Sequence, residues 1–311
     1  MNLLFDEKTR IAYESSPVSF DMSVRDTALR VSSEVLRYVN SLGSAEVSRL
    51  MRKTRFFENA YLPDWIKRPE YFAPKPGREN VFAARLDFAL HNNVPRLIEL
   101  NTACPAGHVF YPSVCESIGA APGRDPAVFS AYPKDFFSGL LVGRARLRSA
   151  SPHIALLTSS VSRISNELAA LRRQIAAEGV RCSVCNIQEL TYRGGVPRYA
   201  GAAIDLVWCK FNDKYSSPLY GLVDENPEYL KRLLDAHLAG ATDVVNPPLA
   251  FYFFEDKAFL GALRGELPRE YSEFVAETGV VGSSGKRLSA GLTGGRASLV
   301  LKPRIGTRAD G

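Results

Sequence analysis

Apolar positions along the first eighty residues recur at helical spacing. Val24, Ala28, Leu29, Val35, Leu36 and Val39 form one stripe, and Gly43 supplies a stop. Ser44 is placed to cap a second helix carrying Val47, Leu50 and Met51. The Pro- and aromatic-rich stretch from Leu62 to Gly77 reads as a surface loop packed by its own aromatics. From Val81 to Leu90 apolar and polar residues alternate as in a strand, His91-Asn92-Asn93 supplies a turn, and Pro95 to Asn101 alternates again. That pattern predicts a β-hairpin.

The pattern changes again after Ser151. Ile154 to Thr158 is a short apolar run of the kind a buried strand uses, and Asn166 to Glu178 is a helix with Leu168, Leu171 and Ile175 on one side. Gly179 ends that helix, Arg181 to Ile187 forms a second strand and Ile204 to Cys209 a third. Strand–helix–strand units with short connections imply a parallel sheet covered by helices, so the fold class is α/β with α+β elements. A helix from Pro227 to Ala239, a helix opened by Glu255-Asp256-Lys257 and a last strand from Ser298 to Pro303 follow. The expected organisation is a helical region plus hairpin over 1–150, a βαβ domain over 151–245 and a further subdomain begun over 246–311.

Composition changes this picture little. With 46% apolar and 23% charged residues, the chain of 311 has the make-up of a globular protein. The net charge of +6 is dispersed and comes with no recognition motif, so the expected ligands are small anions and no nucleic acid. Five cysteines at irregular spacing argue against a disulfide framework. The N-terminus lacks the apolar run of a signal peptide and no stretch is long enough to span a membrane. A cytoplasmic location is the expectation, and the oligomeric state is open.

The hairpin carries the clearest chemistry. Residues two apart on a strand share a face, so Glu99 and Asn101 point together while Ile98 and Leu100 point to the other side. A carboxylate and an amide oxygen side by side can coordinate a hard cation such as Mg²⁺. Arg85 and Asp87 share a face on the partner strand, which would set an anion clamp beside a cation site. The same alternation also suits a sheet whose outer face is simply polar and solvated. Lys302 ends an apolar strand and precedes a small loop containing Gly306, an arrangement suited to phosphate as well as to an ordinary exposed strand end. Lys257 lies in the first turn of its helix, where a solvated lysine beside two capping acids is equally ordinary.

The order of these features resembles the circularly permuted ATP-grasp ligases, the family of eukaryotic-type glutathione synthetase and glutathionylspermidine synthase. Arg85-Leu86-Asp87-Phe88 followed by Glu99-Leu100-Asn101-Thr102 is similar to that family's Arg-x-Asp segment and Glu-x-Asn-Thr strand. Asn246-Pro247-Pro248 with Glu255-Asp256-Lys257 resembles the segment of the first ATP-binding lysine, and Val300-Leu301-Lys302-Pro303 the strand of the second. The resemblance covers about residues 81–125 and 240–311 by motif. It implies an ATP-grasp-like fold whose 151–245 region is a substrate domain, and an enzyme that joins a carboxylate to an amine through an acyl-phosphate. It implies ATP and Mg²⁺ as cofactors, with Glu99 and Asn101 as metal ligands. Lys257, Lys302 and Gly306 would meet the nucleotide phosphates, Arg85 would be the catalytic residue, and Arg85 and Asp87 would bind substrate.

The sequence departs from that pattern after Lys302. The loop Gly306 to Gly311 is poorer in glycine, and only Asp310 stands where a further metal-binding carboxylate is expected. The chain is therefore expected to be truncated inside the ATP-grasp domain. The alternative is a catalytically inactive nucleotide-binding relative. Cys182 and Cys185 fall on opposite faces of one strand, which disfavours zinc. Cys104 near His108 could make a Cys–His pair, although a loop thiol beside a cleft accounts for it as well. Arg172 and Arg173 belong to the solvated side of their helix.

Overall fold

The computed structural model describes residues 22–58, 64–102, 105, 108, 112, 133, 135–158, 165–209 and 227–278. These fall into two compact units, one within residues 104–246 and one joining stretches within 21–103 to those from 247 onward. Among the described residues no helix is long and apolar enough to cross a membrane. Lys302, Gly306 and the strand expected at Ser298 to Pro303 lie outside the described residues, as does Cys104.

The discontinuous unit begins with helices Met22–Ser41 and Ser44–Lys53. The first buries Val24, Val31, Val35 and Val39, whereas Leu29, expected inward, is 58% exposed. Val31 takes its place because Val31, Val35 and Val39 are spaced one turn apart. Gly43 rather than Ser44 is the cap of the second helix, and it makes no side-chain cap bond. Only two residues separate the helices, so Ser44 is already helical and its hydroxyl cannot occupy the capping position.

The stretch expected as a surface loop keeps exposed positions such as Asp64, Glu70 and Gly77 but sends three side chains into the core. Ile66, Tyr71 and Phe72 are buried, and Phe56 meets both Phe72 and Phe253 edge-to-face at 5.1 Å. Offset aromatic contacts of this kind add to the area they bury. Local composition marked irregular backbone, but 3₁₀ turns of three and four residues are enough to aim Ile66, Tyr71 and Phe72 inward.

The hairpin forms as expected, with strands β1 (Arg85–His91) and β2 (Val94–Asn101). Asn92 and Asn93 have φ of 50° and 59°, the left-handed pair that a two-residue turn requires and that asparagine tolerates. Its pairing is interrupted between Asp87 and Phe88: Asp87 lies opposite Glu99, but Phe88 lies opposite Leu97. Ile98 is thus the extra residue of a bulge, which resets the alternation. Leu97 and Leu100 are the buried pair, and Ile98, expected to share the face of Leu100, is half-buried. On the far side of β2 the Leu97 N–H donates to Phe274 O at 2.7 Å and the Ala276 N–H donates to Leu97 O at 2.9 Å.

A fully buried π-helical turn, Leu249–Phe254, leads into helix Lys257–Arg264. The Thr102 hydroxyl donates to Ala250 O at 2.7 Å, tying the end of β2 to that turn. Asp256 caps the helix, accepting from the Ala258 N–H at 2.9 Å. Glu266, beyond the helix, accepts from Arg49 at 2.7 and 2.9 Å and from Lys53 at 3.0 Å.

The other unit centres on a parallel sheet in the order β4-β3-β8-β9, built from β3 (His153–Thr158), β4 (Arg181–Asn186), β8 (Leu206–Cys209) and β9 (Asp243–Val245). Ile154 to Leu157 and Leu206 to Trp208 are buried, as befits strands covered on both faces. Helix Ser165–Ala177 lays Leu168, Leu171 and Ile175 inward, as the spacing predicts, and Arg172 and Arg173 are exposed. Between β4 and β8 the chain makes a small antiparallel sheet: β5 (Thr191–Arg193), β6 (Val196–Tyr199) and β7 (Ala202–Ala203). Helix Phe136–Arg146 is tied to the sheet by the buried Arg144–Asp243 ion pair of 2.8 Å.

Candidate functional site

Register decides which side chains meet on the hairpin. Arg85 lies opposite Asn101 and Asp87 opposite Glu99, so all four project from one face, two per strand. Asp87 and Glu99 are like charges placed directly across from each other, an arrangement that costs stability unless cations intervene. Each carboxylate has such a cation. Arg85 grips Asp87 through Nε–Oδ1 at 2.9 Å and Nη2–Oδ2 at 3.2 Å. Lys257 Nζ donates to Glu99 Oε1 at 2.9 Å.

The two pairs differ in exposure. Arg85 and Asp87 side chains are 48% and 34% exposed, while Lys257 and Glu99 are only 11% and 16% exposed. Lys257 reaches the strand because Asp256 starts the helix beside it. Phe259, Leu260 and Leu263 then anchor the same helix in the core.

Asn101 completes the set. Its Nδ2 donates to Asp87 Oδ2 at 3.1 Å and to the Arg85 carbonyl at 3.4 Å. With both acceptors on the nitrogen side, the amide oxygen Oδ1 falls on the opposite side of the group. With the Asp87 oxygens held by Arg85 and Asn101, the face offers the Glu99 carboxylate and one amide oxygen, donors that suit a hard cation such as Mg²⁺. Among the described residues no three His, Cys, Asp or Glu gather as a metal site by themselves. A cation here would complete its shell with water and with oxygens of a bound phosphate.

The structure thus brings together five of the sequence-derived residues: Arg85, Asp87, Glu99, Asn101 and Lys257. Of the other candidates, His108 stacks on Phe137 with centroids 4.5 Å apart, and its expected partner Cys104 lies outside the described residues. Burial pushes the Cys182 and Cys185 thiols up to about 12, far from the thiolate form that metal binding or nucleophilic attack needs. The ion pair of Lys257 with Glu99 had no signal in the sequence, because 158 residues separate the two.

The sequence matches no protein-family model and no curated protein. Among solved structures the fold is similar to that of a glutathione synthetase-like effector from Globodera pallida in its apo form, with 15% identity and a TM-score of 0.55. The match covers 83% of this chain and 59% of that one, so the chain spans less than two thirds of its neighbour's length. At that identity the likeness concerns the fold alone, a mixed α/β fold similar to that of the glutathione synthetase-like effector.

Proposed function

We propose that the chain is an ATP-dependent carboxylate–amine ligase, or the greater part of one, that forms an amide through an acyl-phosphate. The observation that supports this reading most is the single polar face on which Asp87, Glu99 and Asn101 stand beside Lys257 and Arg85. Phosphoryl transfer is mainly positioning and charge neutralisation, and this face carries the residue types for both tasks.

In this reading Glu99 and Asn101 hold Mg²⁺, which when bound neutralises phosphate oxygens and lowers the cost of charge developing there. Lys257 presents an ammonium to the nucleotide phosphates, with Lys302 and the loop at Gly306 as its proposed partners. Arg85 uses Nε and Nη2 on Asp87, which leaves Nη1 to hold an incoming carboxylate. The carboxylate attacks the γ-phosphate of ATP and ADP departs; the amine then attacks the acyl carbon and phosphate leaves.

The test is calorimetric titration of the chain with MgATP, alongside ADP release in the presence of panels of small carboxylates and amines. Wild-type protein is expected to bind MgATP and to release ADP over many turnovers only when both substrates are present, because carboxylate alone carries the reaction no further than the acyl-phosphate. Glu99→Gln is expected to abolish turnover while leaving the melting transition within a few degrees. Binding without ADP release in every panel would favour the inactive nucleotide-binding alternative, and no binding at all would reject both.

A further inference from the structure

We propose that Asp87 is a positioning residue: it fixes the side-chain amide of Asn101 with its oxygen facing the cation site. The inference rests on the reading of Glu99 and Asn101 as cation ligands. It gives Asp87 a role separate from substrate binding.

A carboxamide is a poor cation ligand unless something orients it. Its oxygen and nitrogen ends are nearly the same shape, and a half-turn about the terminal torsion replaces the ligating oxygen by two N–H donors. Position 101 faces this problem on a strand, where neither end has an intrinsic preference. Here both neighbours of the amide nitrogen are acceptors: Asp87 Oδ2 at 3.1 Å and the Arg85 carbonyl at 3.4 Å. Turning the amide over would set its oxygen against a carboxylate and a carbonyl, two acceptor–acceptor contacts in place of two hydrogen bonds.

Asp87 is itself held for this task. Arg85 takes both of its oxygens, at 2.9 and 3.2 Å, so the carboxylate cannot rotate away from Asn101 without losing the guanidinium. The chain Arg85–Asp87–Asn101 crosses from β1 to β2 within the ladder that precedes the bulge, where the Arg85↔Asn101 and Asp87↔Glu99 register is uninterrupted. The bulge begins immediately beyond Asp87, so the segment that sets these distances has regular pairing.

Charge explains why the ligand is an amide at all. Asp87 and Glu99 already stand across from each other, and a third carboxylate at position 101 would add a like charge beside both. A neutral ligand avoids that repulsion, and its need for orientation is met by the carboxylate it would otherwise have repelled.

The test is a double-substitution cycle on the full chain, with Mn²⁺ as the probe. Free Mn²⁺ is read by electron paramagnetic resonance in the presence of a saturating non-hydrolysable ATP analogue. Asp87→Asn is expected to weaken Mn²⁺ binding by about 10- to 100-fold, the usual effect of losing a partner that orients a ligand. Asn101→Asp should retain binding, because either carboxylate oxygen can ligate. In the Asn101→Asp background, Asp87→Asn should cost nothing or improve binding, since no amide remains to be oriented and a repulsion is removed. An equal cost in both backgrounds would overturn the proposal, because Asp87 would then act directly on the metal. No cost in the wild-type background would overturn it too.

A measurement without ligand separates this inference from the ligase reading. The Asn101 side-chain NH₂ resonances, identified by their loss in Asn101→Asp, should move and exchange faster with water in Asp87→Asn. Unchanged resonances would overturn the orienting contact. Failure of the wild-type chain to bind Mn²⁺ with the analogue, with those resonances shifted as expected, would instead remove the cation assignment.

Discussion

Lys257 Nζ lies 2.9 Å from Glu99 Oε1, although 158 residues separate them. With side-chain exposures of 11% and 16%, the pair is more shielded than an ordinary surface salt bridge. Lys257 thus holds the carboxylate that is proposed to ligate Mg²⁺, so in that reading metal and ammonium would compete for one oxygen. Under the proposed function nucleotide would resolve that competition, since MgATP would supply a cation for Glu99 and phosphates for Lys257 together. Lys257→Met is therefore expected to raise affinity for Mg²⁺ alone, by about fivefold for an interaction on the order of 1 kcal/mol. Affinity for ATP should fall in the same variant. Titration calorimetry with MgCl₂ in the absence of nucleotide reads the first effect, and an affinity that stays level or falls would show that the ammonium does not compete.

Gly261 sits where the helix carrying Lys257 approaches the chain that flanks β2. A Cβ added there would stand 2.6 Å from Thr278 O, inside the distance any backbone oxygen tolerates. Gly261→Ala must push helix Lys257–Arg264 away from that segment and is expected to destabilise by about 1–3 kcal/mol, the range for overpacking. Gly265→Ala is the matched control, because its nearest neighbour would be Ala262 O at 3.5 Å. Comparison of the two melting temperatures decides the point: equal values would mean that the helix yields at no cost.

These relationships mark what the residues alone could and could not convey. The hairpin was legible because two local signals agree, alternation along each strand and an Asn-Asn pair that accepts positive φ. Its bulge was not, since an extra residue in one strand leaves no mark in composition; only pairing shows that Leu97 and not Ile98 joins Leu100 in the core. The parallel strands were legible as apolar runs. The meander β5–β7 escaped notice because its strands are too short to alternate, although Gly194-Gly195 and Ala200-Gly201, all at positive φ, are turn signals. The four polar residues of the hairpin face could be named from spacing. That Arg85 spends two nitrogens on Asp87, and that Lys257 meets Glu99, required the tertiary structure.

The Glu266 cluster gives a pH dependence with a definite sign. Hydrogen bonds from Arg49 hold its carboxyl down at about 2, from an ordinary 4.5; partial burial opposes that shift and Lys53 adds to it. A carboxyl with a depressed value in the folded state takes up its proton more readily in the unfolded chain. The stabilising contribution is therefore fully present above about pH 4.5 and is lost as pH falls towards 2. Glu266→Gln should lower the melting temperature at neutral pH and flatten its decline across that window. A decline of unchanged steepness would assign acid sensitivity to other carboxylates.

Cys182 and Cys185 supply the last test, of chemistry that the fold withholds. Burial raises both thiols to about 12, and they stand three residues apart on β4, so they cannot face one partner together. At pH 8 the fraction present as thiolate is about a thousandfold below that of an unperturbed cysteine. Native protein treated with iodoacetamide should therefore remain unmodified at both sites over times that alkylate an exposed thiol completely, and urea should abolish the protection. Peptide mass mapping distinguishes the sites. Rapid alkylation of Cys185 in native buffer would mean that β4, the strand at the edge of the sheet, opens readily, and its opening would uncover Leu156 and Leu157 in the adjacent β3.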